Sequence, residues 1–297
     1  MNEPLVTIGL PTYNNSKTIQ ASIQSILNQN YQNWELFIII DGSTDGSYDL
    51  IKRFVDPRIT ILNDKENKGL IFRLNQIIDL AHGQYICRMD ADDMMLPEKL
   101  TEQINYLAQN SEVDVLDTGT YSIDENDTPI GVRGISDLNN VSFKKTLKRS
   151  LLIHPTVMGK AEWFKNNRYA IGFERAEDFE LWCRTFTSSV FGRLTKPLYI
   201  YREGRVNIRN YILTMRSVRK VLFLYGYLGL SKAEIRIEIL KTYAKTCLYR
   251  LFGFLNIQNI LTDKRNTNIS KEEIKFLTQY IHLLKRTSLK QDGKSEY

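Results

Sequence analysis

At 297 residues, with 42% hydrophobic and 25% charged side chains, the chain has the length and composition of a soluble globular protein with a substantial core. No window approaches the roughly 18 consecutive apolar residues of a membrane span, and MNEPLVTIGLP, with Glu3 and Pro4, does not read as a secretory signal. Cys87, Cys183 and Cys247 are scattered, as are His82, His154 and His282, so the expectation is reduced thiols in a cytoplasmic protein and no zinc site.

Val6–Leu10 is a short apolar run that predicts a strand ending in the polar turn Pro11-Thr12-Tyr13-Asn14. Ser16 is placed to cap a helix carrying Ile19, Ile23, Ile26 and Leu27 as far as about Asn28. Leu36–Ile40 is continuously apolar, as in a strand buried on both faces, and it runs into DGSTDGS at 41–47. A helix with Leu50, Ile51 and Phe54, a third strand at Ile59–Leu62, and a helix with Leu70, Leu74, Ile77 and Ile78 closed by Gly83 follow. The fourth strand, Tyr85-Ile86-Cys87, delivers the chain to Asp90, Asp92 and Asp93, and Pro97 opens the next helix.

Four alternations of strand and helix with short connections predict a parallel sheet with right-handed crossovers. Ligands of such sheets bind beyond the strand carboxyl ends, so Thr12–Asn14, Asp41–Asp45 and Asp90–Asp93 are expected to meet in one crevice. Three carboxylates within four residues call for a screening cation, and extended backbone would put Asp90 and Asp92 on the same side. Neither GxGxxG nor GxxxxGK[ST] occurs, which argues against a dinucleotide site and a P-loop.

PTYN, DGSTDGS and NKGLIFRLNQIIDLAHGQYICRMDADDMMLPEKL, in this order and spacing, resemble the bacterial family 2 glycosyltransferases of GT-A fold. A second block fits the same family: Leu152–Met158 with His154, then Arg175–Trp182 with Glu177 and Asp178, then Pro197–Arg202. The resemblance covers about the first 205 residues. It implies an α/β fold with a mostly parallel central sheet flanked by helices, and a nucleotide-diphospho-sugar donor, most simply a UDP-sugar. Pro11, Thr12 and Tyr13 would line the base pocket, Asp41 would accept from the base, and Asp90 beside Ala91 would face ribose and diphosphate. Asp92 would ligate Mn²⁺ or Mg²⁺, and Asp178 would act as general base in an inverting displacement. Asn14, Asp45, Asn75, Asp93, His154, Glu177 and Trp182 are supporting candidates.

Several of these residues also have plainer readings. Asp45 suits a helix N-terminus as well as a donor contact, Asp93 a helix start or supporting position, and Glu177 a structural hydrogen bond. Trp182 and Phe179 fit packing or a sugar-stacking wall. Two departures from the family pattern stand out: Ile40 replaces the first of a common aspartate pair, which weakens uracil specificity, and Arg73 stands one place early for a phosphate contact. There is no QxxRW after Asp178, which argues against processive synthesis of a cellulose- or hyaluronan-like polymer.

Organisation is expected as a catalytic domain at 1–204, with 1–110 holding the donor and 111–204 the acceptor side, followed by a basic helical region at 205–297. From Arg205 onward eighteen Lys/Arg face seven Asp/Glu, and helices are predicted at Tyr211–Gly229 and from Lys232 to about Ile260, with disorder from about Gln291. The basic helices suit a cap on the catalytic domain or an anionic membrane surface; with no recognised binding module, nucleic acid is not expected as a partner. The expected acceptor is a glycan or lipid-linked glycan of a surface polysaccharide (capsule or O-antigen), met in the cytoplasm or at the cytoplasmic face of the inner membrane. A nucleotidyltransferase making sugar nucleotides and a non-catalytic sugar-nucleotide-binding subunit are the alternatives.

Overall fold

The structure, a computed structural model, describes residues 3–139, 141–204, 207–255 and 266–291. Its first half alternates β1 (Val6–Thr12), α1 (Ile19–Leu27), β2 (Trp34–Ile40), α2 (Ser47–Ile51), β3 (Ile59–Asn63), α3 (Leu70–Leu80) and β4 (Tyr85–Arg88). These strands pair in parallel in the order β3-β2-β1-β4. The apolar run of β2 is buried on both faces, as its sequence predicts. Leu36, Ile38 and Ile40 join α1 in one core layer, and Ile39 joins α3 in the other.

The second half contributes β5 (Met94–Met95), α4 (Lys99–Gln109), β6 (Val115–Ile123), β7 (Pro129–Arg133), α5 (Phe143–Thr146), β8 (Met158–Lys160), α6 (Ala161–Asn166), α7 (Glu177–Thr185) and β9 (Phe191–Arg202). The sheet continues as β4-β8-β6-β9-β5, with β7 on β6, and here it is mixed: β8 runs antiparallel to both neighbours, and β9 runs parallel to β6. This extension sets α7 against the carboxyl ends of the parallel strands.

Three long helices complete the described chain: α8 (Ile208–Tyr225), α9 (Lys232–Phe254) and α10 (Lys271–Gln291). α8 and α9 form a hairpin whose second helix opens on a capping box between Ser231 and Glu234. Val221 and Leu222 of α8 pack on Phe179 and Cys183 of α7. α10 instead returns to the α/β body, burying Leu277, Ile281 and Leu284 among Ala21, Met94 and Ile123, and Tyr280 Oη donates to Met95 O at 2.9 Å.

Several predicted boundaries shift. α1 starts at Ile19 with Thr18, not Ser16, in the N-cap position and no side-chain cap bond, while the Ser16 N–H donates to Asp45 at 2.8 Å. α3 ends at Leu80, before Gly83, and α4 starts at Lys99 rather than at Pro97. The predicted stretch of helix to Ile260 and the disordered end beyond Gln291 lie outside the described residues.

Candidate active site

The three polar loops at the strand ends do converge, but their residues divide into those that face a cleft and those that hold the loops together. Asn14 adopts φ 55°, a left-handed conformation that asparagine tolerates. Its N–H donates to Ser43 Oγ at 3.0 Å and its Oδ1 accepts from the Thr44 N–H at 2.9 Å. Asp45 accepts from the N–H groups of Ser16 and Ser47. Burial alone would raise its carboxyl, but these bonds and the Ser47 hydroxyl outweigh it and hold the group down at about 2. Both side chains are thus engaged in stitching the first loop to the second, which for Asp45 favours the helix-start reading over donor contact.

Between the first two loops and α3 lies a cleft of about 670 Å³ lined by Pro11, Thr12, half-exposed Tyr13 and Asp41. Asp41 is buried and accepts at Oδ1 from the Lys68 N–H (2.8 Å) and Arg73 Nε (2.7 Å), and at Oδ2 from the Gly69 N–H (3.0 Å). A carboxylate offers about four acceptor directions, so one at Oδ2 remains for a ligand. Arg73, only 1% exposed, is shared between Asp41 and Asp64, which explains its early position: it organises the pocket from below. Gly42 is required here, because at φ +69° a Cβ would stand 2.8 Å from the Asn67 nitrogen. Asn75 clamps the backbone of Tyr169 in both directions, at 3.0 and 3.1 Å.

The acidic stretch is a turn, not a continued strand. β4 ends at Arg88, and the Asp93 N–H donates to Asp90 O at 3.3 Å. The side-by-side placement of Asp90 and Asp92 expected from extended backbone therefore gives way to a tighter grouping, with one carboxylate oxygen each of Asp90, Asp92 and Asp93 within 4.8 Å of one another. Ala91, buried and small, anchors the turn to α1 through its carbonyl, which accepts from Thr18 Oγ1 (3.0 Å) and Ser22 Oγ (2.9 Å). Asp90 forms a two-pronged ion pair with Arg88 at 2.7 and 3.0 Å. Asp92 is pushed up to about 6 by burial and by the adjacent Asp90 charge. Asp93 is also raised, by burial and by the Asp92 and Asp90 charges; its Oδ1 accepts from the Arg202 N–H at 2.7 Å, while its buried Oδ2 has no hydrogen-bond partner among the described residues. An orphaned oxygen beside two crowded carboxylates is a donor set of hard oxygen ligands, which suits Mn²⁺ or Mg²⁺.

The second sequence block meets this turn across an adjoining cleft of about 970 Å³ that contains Asp90, Asp92, His154, Glu177 and Asp178. Asp178 is half-buried in the first turn of α7 and accepts from Ser150 Oγ at 3.3 Å. Burial raises its carboxyl, opposed by the Phe179 N–H and the Arg88 charge. Glu177, buried beside it, is pushed up to about 7 by burial and by Asp178. His154 Nε2 lies 2.8 Å from Tyr169 Oη, and burial next to Arg88 keeps the imidazole neutral. Trp182 is 0% exposed, stacked on Trp163 with its edge toward Phe191, so it cannot offer a sugar-stacking face.

Arg88, Ser150, Tyr169 and Arg175 did not stand out in the sequence. For Arg88 the signal existed: it stands two residues before Asp90 at a strand end, the same spacing that draws attention to Asp92. Ser150 and Tyr169 carry no local pattern, because their partners lie 28 and 15 residues away.

A parallel half with a base-sized cleft at its strand ends, an acidic turn beside that cleft and a carboxylate pair facing it from a second block define a nucleotide-sugar transferase of GT-A fold. The chain belongs to glycosyl transferase family 2, whose family model matches residues 7–181, and it is a glycosyltransferase. It is 34% identical over 251 residues to the putative glycosyltransferase EpsE of Bacillus subtilis, covering 78% of this chain and 89% of that one. Over 182 residues it is 32% identical to the Escherichia coli UDP-Glc:alpha-D-GlcNAc-diphosphoundecaprenol beta-1,3-glucosyltransferase WfgD, covering 61% of this chain and 70% of that one. Among solved structures, the mannosyltransferase PcManGT of Pyrobaculum calidifontis, in complex with GDP-Man and Mn²⁺, shares the fold at TM-score 0.59 and 17% identity, covering 97% and 88% of the two chains.

Proposed function

We propose that this glycosyltransferase moves one sugar from a UDP-sugar, with inversion, to a hydroxyl of a lipid-linked glycan during surface polysaccharide synthesis, as in a capsule or O-antigen repeat. The observation that carries the reading is the shared cleft in which Asp178 faces the Arg88–Asp90–Asp92 turn next to the base pocket. Uracil suits the remaining acceptor position on Asp41, which would take its N3–H. Asp178 would accept the proton of the acceptor hydroxyl as that oxygen bonds to the anomeric carbon and the bond to the diphosphate oxygen breaks. Ser150 orients the carboxylate, and Arg88 holds Asp90 toward the donor. Asp92, with Asp90 and Asp93, would hold Mn²⁺ or Mg²⁺, which when bound offsets charge on the leaving diphosphate. Release of UDP across a panel of UDP-sugars tests the donor; Asp178→Asn is expected to lower kcat by about 10²- to 10⁴-fold with donor KM little changed. Unchanged turnover in that variant would remove Asp178 as the base.

In the same reading residues 1–204 carry catalysis, with the donor held by 1–110 and the acceptor by 111–204, while 205–297 support it. An anionic membrane surface fits α9. Ile237, Leu240, Leu248, Leu251 and Phe254 are 42–85% exposed along its outer side, and Arg236 and Arg250 on one flank with Lys241 and Lys245 on the other suit acidic headgroups. No helix among the described residues is long and apolar enough to cross a membrane. In this reading the reaction occurs at the cytoplasmic face of the membrane, where the lipid-linked acceptor would be presented.

A further inference from the structure

We propose that the groove between α7 and the α8–α9 hairpin binds the diphosphate of a lipid-linked acceptor, an assignment that rests on the glycosyl-transfer reading above. The groove, about 260 Å³, reaches Asp178 and touches the base-pocket cleft at Arg175. Asp178, Arg149, Ser150 and Arg175 line both this groove and the larger cleft, so an acceptor whose hydroxyl meets Asp178 has its remainder directed into the groove.

The lining suits an anionic group on an apolar stem. Lys148, Arg149, Arg175, Lys241 and Lys245 face two carboxylates, Asp178 and Glu238. Glu238 is divided between Lys241 at 2.9 Å and Lys148 at 3.7 Å. Arg149, Arg175 and Lys245 make no ion pair with any described residue, which leaves their charge available for phosphate oxygens. Arg175 is held at φ 65°, a conformation that costs an arginine energy, at the point where donor cleft, catalytic cleft and groove meet. Leu147, Phe179 and Leu222 supply the apolar floor.

The outer end of the groove fixes the direction of the lipid. Lys241, Lys245 and Leu248 follow one another at i, i+4 and i+7 on α9, so the cationic rim borders the exposed apolar stripe of that helix. An acceptor laid along this path has its hydroxyl at Asp178, its diphosphate among the five cations, and its chain leaving along the stripe.

The test measures binding of decyl diphosphate to the full chain by calorimetry, with UDP binding and thermal unfolding recorded on the same samples. Decyl diphosphate should bind more tightly than inorganic diphosphate, with decanol showing no binding. The double variant Lys241→Ala/Lys245→Ala should weaken decyl diphosphate binding about tenfold or more, the equivalent of one lost charge-assisted contact, with UDP binding and Tm unchanged. Lys245→Gln, at an exposed position, is the second variant should the double one lose its fold. No binding by the wild type, or equal binding by the variants, overturns the site; inorganic diphosphate binding as tightly as the decyl form overturns the lipid-linked assignment. Absence of UDP binding while decyl diphosphate still binds would overturn the proposed donor instead, which separates the two failures.

Discussion

Glu177 and Asp178 share one small space, and the first is held protonated to unusually high pH by burial and by the charge of the second. An unfolded glutamate ionises near 4.5, whereas folded Glu177 does so near 7. The folded state therefore holds this proton more tightly, and the stability from that difference is full below pH 4.5 and lost as pH rises through 7. Glu177→Gln should raise Tm at pH 8 more than at pH 5, checked by unfolding at both pH values. The catalytic base must be ionised, so kcat/KM should fall on the acid side at a pH above the usual carboxylate range, because burial raises Asp178; Glu177 is still protonated there and adds no like charge, so Glu177→Gln should leave that limb in place, and a limb that moves to lower pH would mean that Glu177 ionises first. At the acidic turn, chelation should abolish transfer and Mn²⁺ or Mg²⁺ restore it. Asp92→Asn should cost on the order of 100-fold in metal-restored activity, since a bound ion contributes several kcal/mol; wild-type activity that survives exhaustive chelation would end the metal assignment.

Among the elements, α10 carries an outcome that helical periodicity alone does not convey. Its apolar side could have faced a membrane together with α8 and α9, but it instead completes a core layer on α1, β5 and β6, where Leu277 and Leu284 are fully buried. Leu284→Ala should therefore cost about 2–5 kcal/mol, a Tm loss on the order of 5 °C or more, read by calorimetry or circular dichroism. A change within about 1 °C would mean that α10 does not pack there. The short elements of the first half were legible because each carries one clear signal: continuous apolar residues in β2, helical spacing in α1 and α3. Their caps were not: Ser16 is held by Asp45 from another loop, and α1 starts at Ile19 behind Thr18 with no side-chain cap bond.

For the whole molecule, the helical region divides its work: α10 braces the sheet under the acidic turn, whereas α9 leaves an apolar stripe and two basic flanks outside. The full chain should float with liposomes containing anionic lipid and sediment from neutral ones, and Leu240→Ser/Leu251→Ser should weaken flotation without lowering Tm; equal flotation with both lipid mixtures would rule out the charged contact. The strand–helix order, the polar loops at strand carboxyl ends and the family motifs were determined by the sequence itself, because period, turn chemistry and motif spacing are properties of neighbouring residues. Only the tertiary structure decided which carboxylates are compensated. Arg73 takes Asp41 across 32 positions of sequence and Arg202 supports Asp93 across 109. It also decided that Trp182 packs inward and that a cationic groove ends on Asp178. The reason is that burial and charge balance arise between segments far apart in the chain, and their outcome depends on distances that no local pattern encodes.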